Sequence, residues 1–269
     1  MIAALFRGAL CACALAASGA IAQPPASVFI DDLTWTELRD AIAAGKTTII
    51  VPIGATEQNG PLMALGKHNA RAKALSEKIA RRLGDAFVAP VIAYVPEGQV
   101  DPPTQHMRFP GTITLPDATF DKTLEYAARS FRRAGFHDIV FLGDHGGYQK
   151  NEIAVAARLN REWQARGTRV HAIEEYYRAT QTAYVQALKH RGYSDEEIGS
   201  HAGLADTALT LALAPDLVRA DQLASAGKPT AAQGAYGDPR RATAELGQLG
   251  VDIIVAQTVD AIRKATKRH

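Results

Sequence analysis

Within residues 54–69, GATEQNGPLMALGKHN, the chain gathers Glu57, Asn59 and His68 around a Gly-Pro turn. Carboxylate, amide and imidazole groups at such spacing can share a metal ion or pass a proton. Two further groupings follow: Asp144-His145-Gly146-Gly147, and His201 with Asp206 five residues on. Of the eight histidines, His68, His106, His145 and His201 sit in Gly/Pro-rich polar turns. His137, His171, His190 and His269 have ordinary helical, strand or terminal surroundings. Each residue also has a plainer role open to it. A lone histidine is commonly a packed or solvated ring, Asp144 suits a turn, and Asp206 suits the N-cap of a helix beginning DTALTLALAP. DHGG would also suit a phosphate-cradling loop, but it lacks the Lys-Ser/Thr sequel of that motif. Four turn histidines at one end of a sheet favour a shared polar site.

Apolar runs alternate with helical patterns along the chain. Residues 47–55, 86–95, 138–147 and 169–173 read as strands, the third ending in the DHGG turn. Helices are expected from near Thr34 to Gly45 and over 68–84, 119–136, 149–165 and 206–215. Strands separated by helices imply a parallel or mostly parallel sheet covered on both faces. Functional groups then collect at the carboxyl ends of the strands, where Glu57, Asp144 and His145 fall. The segment 96–112, PEGQVDPPTQHMRFPGT, reads as a lid or rim loop.

Residues 1–22 read as a secretory signal: Arg7, a short apolar run, then Ala20-Ile21-Ala22 before Gln23. The run is too short to span a bilayer. The expectation is cleavage near Ala22, a periplasmic location with no membrane attachment afterwards, and a single domain over residues 23–269. Both cysteines, Cys11 and Cys13, leave with the signal. Any metal must therefore be held by His, Asp, Glu or Asn. A formal net charge of +2 argues against a nucleic-acid partner, and the basic C-terminus RKATKRH reads as the last turn of a helix.

Four ordered segments, VPIGATEQNGPLMALGKHN, HMRFPGTITL, GDHGG and HAGLADTALTLALAPDLVR, resemble the creatininase (creatinine amidohydrolase) family of metal-dependent hydrolases. GAYGDPRRATAELGQLG extends the resemblance over nearly the whole mature chain. It implies a three-layer α/β/α sandwich with a mostly parallel central sheet, a homo-oligomer such as a hexamer, and a two-metal site that hydrolyses amide bonds of small, typically cyclic, molecules. Glu57 stands at the family's metal-binding glutamate, and His145 at the histidine of its Gly-His-Gly-Gly turn. His201 matches the proton-transfer histidine, and Asp206 replaces a ligand glutamate. Asn59 stands where a ligand histidine is usual, His68 where a bridging aspartate is usual, and Leu62 where a histidine follows the Gly-Pro.

A carboxylate can bridge two cations, whereas a neutral imidazole has one lone pair to offer. His68 in the bridging position therefore favours one ion over two, held by Glu57, His68, His145 and Asp206, with Asn59 a weaker oxygen donor. Zinc is the first expectation and manganese the second. Glu57 or Asp144 would orient water, and His201 would protonate the leaving nitrogen. Gly146 and Gly147 would offer backbone N–H groups to an oxyanion, while His106 and Arg108 would contact substrate. The competing expectation is an exported small-molecule-binding or inactive relative that keeps the scaffold.

Overall fold

The computed structural model describes residues 27–164 and 167–267, so the expected signal over 1–22 lies outside the described residues. The strands are β1 (Thr48–Ile53), β2 (Ala86–Val88), β3 (Asp138–Gly143) and β4 (Arg169–Ala172). The helices are α1 (Trp35–Ala43), α2 (Lys67–Leu83), α3 (Asp117–Ala134), α4 (Gln149–Trp163), α5 (Glu174–Gln181), α6 (Ala183–Lys189), the short α7 (Asp195–Ile198), α8 (Leu204–Leu213), the short α9 (Ala220–Leu223) and α10 (Ala244–Thr266).

The strands form a parallel sheet in the order β2-β1-β3-β4. The pleat sends alternate side chains to opposite faces. Ile49, Val51, Ile53, Ile139 and Phe141 pack with residues of α1, α3 and α4. Ile50, Val140 and Leu142 pack with residues of α2, α5, α8 and α10. Each such aliphatic side chain contributes roughly 1.5–3 kcal/mol by leaving water. Two apolar faces need two covering layers, and the result is the expected three-layer α/β/α arrangement.

From β1 the chain runs through α2 to β2 on one side, then returns to place β3 on the other side of β1. The ends of β1 and β3 therefore bound the crevice where strand order reverses, the usual ligand position in such sheets. Ile53 and Gly143 are partners at these ends. The fully buried Tyr148 ties them together. Its hydroxyl lies 2.8 Å from the Ile53 and Gly54 carbonyls and accepts from the His145 N–H at 3.1 Å.

The run expected as a strand over 86–95 is regular only to Val88; Ile92 and Val95 make isolated parallel bridges to Ile53 and Thr114. Pro90 supplies no N–H to a ladder, so pairing breaks there. Helix α10 ends at Thr266 with Arg263 and Lys264 in its last turn, where cations suit the dipole. Among the described residues no helix is long and apolar enough to cross a membrane.

Candidate metal centre

Helix α2 enters the crevice by its first turn. Asn69 holds it to the end of β1: its Oδ1 accepts from the Ala55 N–H at 3.1 Å, and its Nδ2 donates to Thr56 Oγ1 at 3.2 Å. Gly54 is required at this crossing, because a Cβ there would collide with the Asn69 amide and backbone. Helix α8 brings Asp206 from the other side, clamped by α10, whose Gly247 lies against the Ala208 carbonyl where no Cβ fits.

At the centre is Glu57, fully buried. Its Oε1 lies 2.7 Å from His68 Nε2, and His68 Nδ1 lies 2.6 Å from Asp144 Oδ2. Burial works against the Glu57 charge, but His68 and then Lys67 hold its carboxyl well below the usual range. Its other oxygen, Oε2, lies 3.3 Å from His106 Nε2 and 3.4 Å from His145 Nε2, yet has no hydrogen-bond partner. His145 Nδ1 is 3.3 Å from Glu97 Oε1, and neither Glu97 oxygen has a hydrogen-bond partner.

Glu97 was not among the residues the sequence singled out. It is buried inside the rim segment, with its N–H donated to Thr114 Oγ1 at 2.9 Å. Burial and the neighbouring Glu57 carboxylate push Glu97 up to about 9. Glu57, Glu97, His106 and His145 each offer a donor atom, all within 4.8 Å of one another. Orphaned carboxylate oxygens facing imidazoles in a buried setting are what a divalent cation would satisfy. The residues present therefore fit a metal ion.

His106, expected as a substrate contact, thus faces the donor group, and its Nδ1 lies 2.9 Å from Gln58 Nε2. His201 stands beside it, ring centroids 4.6 Å apart. Its Nε2 donates to the Gln58 carbonyl at 2.9 Å, which turns Nδ1 toward Glu57 Oε1 at 3.7 Å. Burial and the Lys67 charge push the His201 ring down to about 3; burial pushes His145 down to about 4. Both rings are neutral near pH 7. The rings of His106, His145 and His201 are the partly exposed groups around Glu57, so the centre opens between them.

The remaining expected site residues have other partners. Asp206 accepts from Lys67 Nζ at 2.9 Å, from Arg71 Nη1 at 2.7 Å and from the Ala202 N–H at 2.9 Å. Burial opposes the Asp206 charge, yet Lys67 and Arg71 hold it well below the usual carboxylate range. Asp144 is occupied by His68, by Arg71 Nε at 3.1 Å and by the Tyr176 hydroxyl at 2.8 Å. It therefore buttresses His68 rather than facing the opening. His68 and Asp206 lie outside the converging donor group. Asn59 Nδ2 donates to the Glu57 and Ala64 carbonyls, both at 2.9 Å, which fixes the Gly-Pro turn. The Gly147 N–H donates to His145 Nδ1 at 3.2 Å, and so is already engaged. Gly146 is exposed beside Tyr177. Arg108 is exposed, its Nε donating to the Gln105 carbonyl at 3.1 Å. A large cleft of about 690 Å³ lies elsewhere, by the first residues of β3 and β4, Asp138 and Arg169.

Comparison with known proteins shows the family and the fold. The sequence profile of the creatininase (creatinine amidohydrolase) family matches residues 31–262. The chain belongs to the creatininase family. It is 30% identical to the creatinine amidohydrolase of Pseudomonas putida over 88% of this chain and 97% of that protein. It is 27% identical to the mycofactocin precursor peptide peptidase of Mycolicibacterium smegmatis, over 82% of this chain and 84% of that one. A manganese creatininase structure superposes with a TM-score of 0.72 at 28% identity, covering 90% of this chain and 100% of the other. A mutant creatininase of zinc–zinc type gives 0.70 at 28% identity, with 90% and 99% covered.

Proposed function

We propose that this creatininase-family protein is an amidohydrolase that works with one divalent ion, held by Glu57, Glu97, His106 and His145, on the C–N bond of a small or cyclic amide. The observation that carries the reading is the set of unpartnered carboxylate oxygens, Glu57 Oε2 and both of Glu97, facing imidazole nitrogens in a buried pocket. Two carboxylates and two imidazoles suit zinc, with manganese the alternative. When bound, the ion supplies Lewis acidity toward a carbonyl and makes water acidic enough to attack near neutral pH.

The chain's own residues orient and move protons. Glu57 is held by His68, which Asp144 holds in turn, so its Oε2 keeps a fixed direction. His201 is locked with Nε2–H on the Gln58 carbonyl; its Nδ1 can take a proton from attacking water and return it to the departing nitrogen. The ring is neutral near pH 7, so Nδ1 has a lone pair for that proton, and its low affinity for the proton favours passing it on to the departing nitrogen. A substrate enters between three imidazole rings, which supports a small molecule over a macromolecule. The Pseudomonas putida and Mycolicibacterium smegmatis relatives, by their names, act on creatinine and on a peptide, and both names denote amide cleavage. Export to the periplasm after cleavage near Ala22, and assembly as a homo-oligomer, complete the proposal; the first rests on residues 1–22 and the second on family resemblance.

The test is a panel of creatinine, hydantoins, lactams and short peptides, assayed for amine or carboxylate release with chelated and with zinc- or manganese-loaded protein. Turnover that chelation removes and metal restores is expected. Ligand-induced thermal stabilisation with no turnover on any amide would instead identify a binding protein, a reading the intact donor group does not favour.

A further inference from the structure

Two buried cations in the centre have no part in the chemistry above. Lys67 is 1% exposed in its side chain and Arg71 3%. Burying either group is costly unless it is paired. Lys67 Nζ is 2.9 Å from Asp206 Oδ2 and 3.6 Å from Glu57 Oε1. Arg71 spans two carboxylates, with Nη1 2.7 Å from Asp206 Oδ1 and Nε 3.1 Å from Asp144 Oδ2. Lys67 and Arg71 are one helical turn apart on α2, in line with the core residues Leu75 and Ile79. The helix thus continues its buried stripe into the site as positive charge.

We propose that Lys67 and Arg71 stand in for a second metal ion, neutralising Asp144 and Asp206 and limiting the centre to one divalent cation. The inference rests on the metal-binding reading given above. Of the four carboxylates gathered here, Asp144 and Asp206 have side-chain cations on their oxygens, and Glu57 Oε1 has His68 and Lys67 near it. Only Glu57 Oε2 and Glu97 are left for an external ion. A divalent ion placed between Asp144 and Asp206 would meet the ammonium and the guanidinium at close range and would have to expel them from buried pairs. His68 adds to the block, because both of its ring nitrogens already face carboxylate oxygens. The zinc–zinc type relative shows that this fold can carry two ions; here helix α2 supplies covalently attached charge instead.

The experiment is metal stoichiometry by elemental mass spectrometry after equilibrium dialysis against millimolar manganese or zinc. The native chain is expected to saturate at about one ion per chain, and the double variant Lys67→Met/Arg71→Met, which removes both cations, at about two, with the added ion the weaker. Lys67→Gln/Arg71→Gln keeps hydrogen-bond donors for Asp144 and Asp206 without the charges, and is the companion variant should the methionine pair not fold. Saturation of the native chain at about two ions, or of both variants at about one, overturns the inference while leaving a metal centre in place. A native chain that takes up no ion overturns the metal-binding reading itself.

Discussion

The two halves of the centre are built from the same kinds of group and treat them oppositely. On the α2 and α8 side, Asp144 and Asp206 are saturated: Lys67, Arg71, His68, Tyr176 and the Ala202 N–H occupy their oxygens. On the side of the 96–112 segment, Glu57 Oε2 and both Glu97 oxygens have no hydrogen-bond partner. Burial alone cannot account for this, since carboxylates in both halves are buried. The difference lies in whether the chain provides its own cation. Where it does, the acids stay ionised; where it does not, burial and the Glu57 charge raise Glu97 to about 9. The lesson is that the unpaired half, rather than the better-connected one, is the half prepared for a ligand.

The largest break in that comparison comes from Glu57, which belongs to both halves. Glu57→Ala should lower kcat/KM by roughly a thousandfold or more, the order expected when several kcal/mol of metal-borne stabilisation are lost. Dialysis-measured metal affinity should fall with it. Next is the saturated half: Asp144→Asn removes one of the two carboxylates on Arg71 and one of the two beside His68, and should cost about 3 kcal/mol in urea unfolding, because a buried pair loses part of its match.

The unpaired half predicts a proton. For the metal-free protein, a Glu97 carboxyl raised from its unfolded value of 4.5 to about 9 binds more protons folded than unfolded across that window. Its contribution therefore makes stability fall as pH rises from 4.5 toward 9. Glu97→Gln should flatten that fall in thermal unfolding followed against pH. Metal uptake by the native chain near pH 7 should release about one proton, and by Glu97→Gln correspondingly less, as calorimetry in buffers of different ionisation enthalpy would read.

A smaller effect sharpens the rim. The Gln58 side-chain amide contacts both His106 and His201, so Gln58→Ala should reduce turnover about 10–100-fold, the usual range for a residue that orients a ligand imidazole. Gln58 is buried and its Oε1 accepts from the Gly60 N–H, so urea stability should fall by about 1–3 kcal/mol. Arg108→Ala, on the exposed surface, should leave metal content unchanged.

The layered fold was legible because its signals are local and repeated: apolar β-rich runs ended by turn residues, separated by helices of 3.6-residue period. Glu57 and His145 were legible for the same reason, each following directly on a strand that predicts its location. Glu97 was not, because it follows an irregular segment that Pro90 removes from the sheet. The 96–112 segment read as a rim, and it does hold His106 at the mouth, but its buried end also supplies a carboxylate. Lys67 and Arg71 carried a signal that went unread. They share the i, i+4 stripe of Leu75 and Ile79, which marks the buried face of α2. Cations on a buried stripe require partners, and Asp206, read as a ligand or helix cap, is one of them.

The most direct test of the central claim is anomalous diffraction at the zinc or manganese edge from crystals of the metal-loaded protein. The account predicts a single peak per chain among Glu57, Glu97, His106 and His145, with none between Asp144 and Asp206. A peak on Asp206 and His68, with Lys67 displaced, would contradict it.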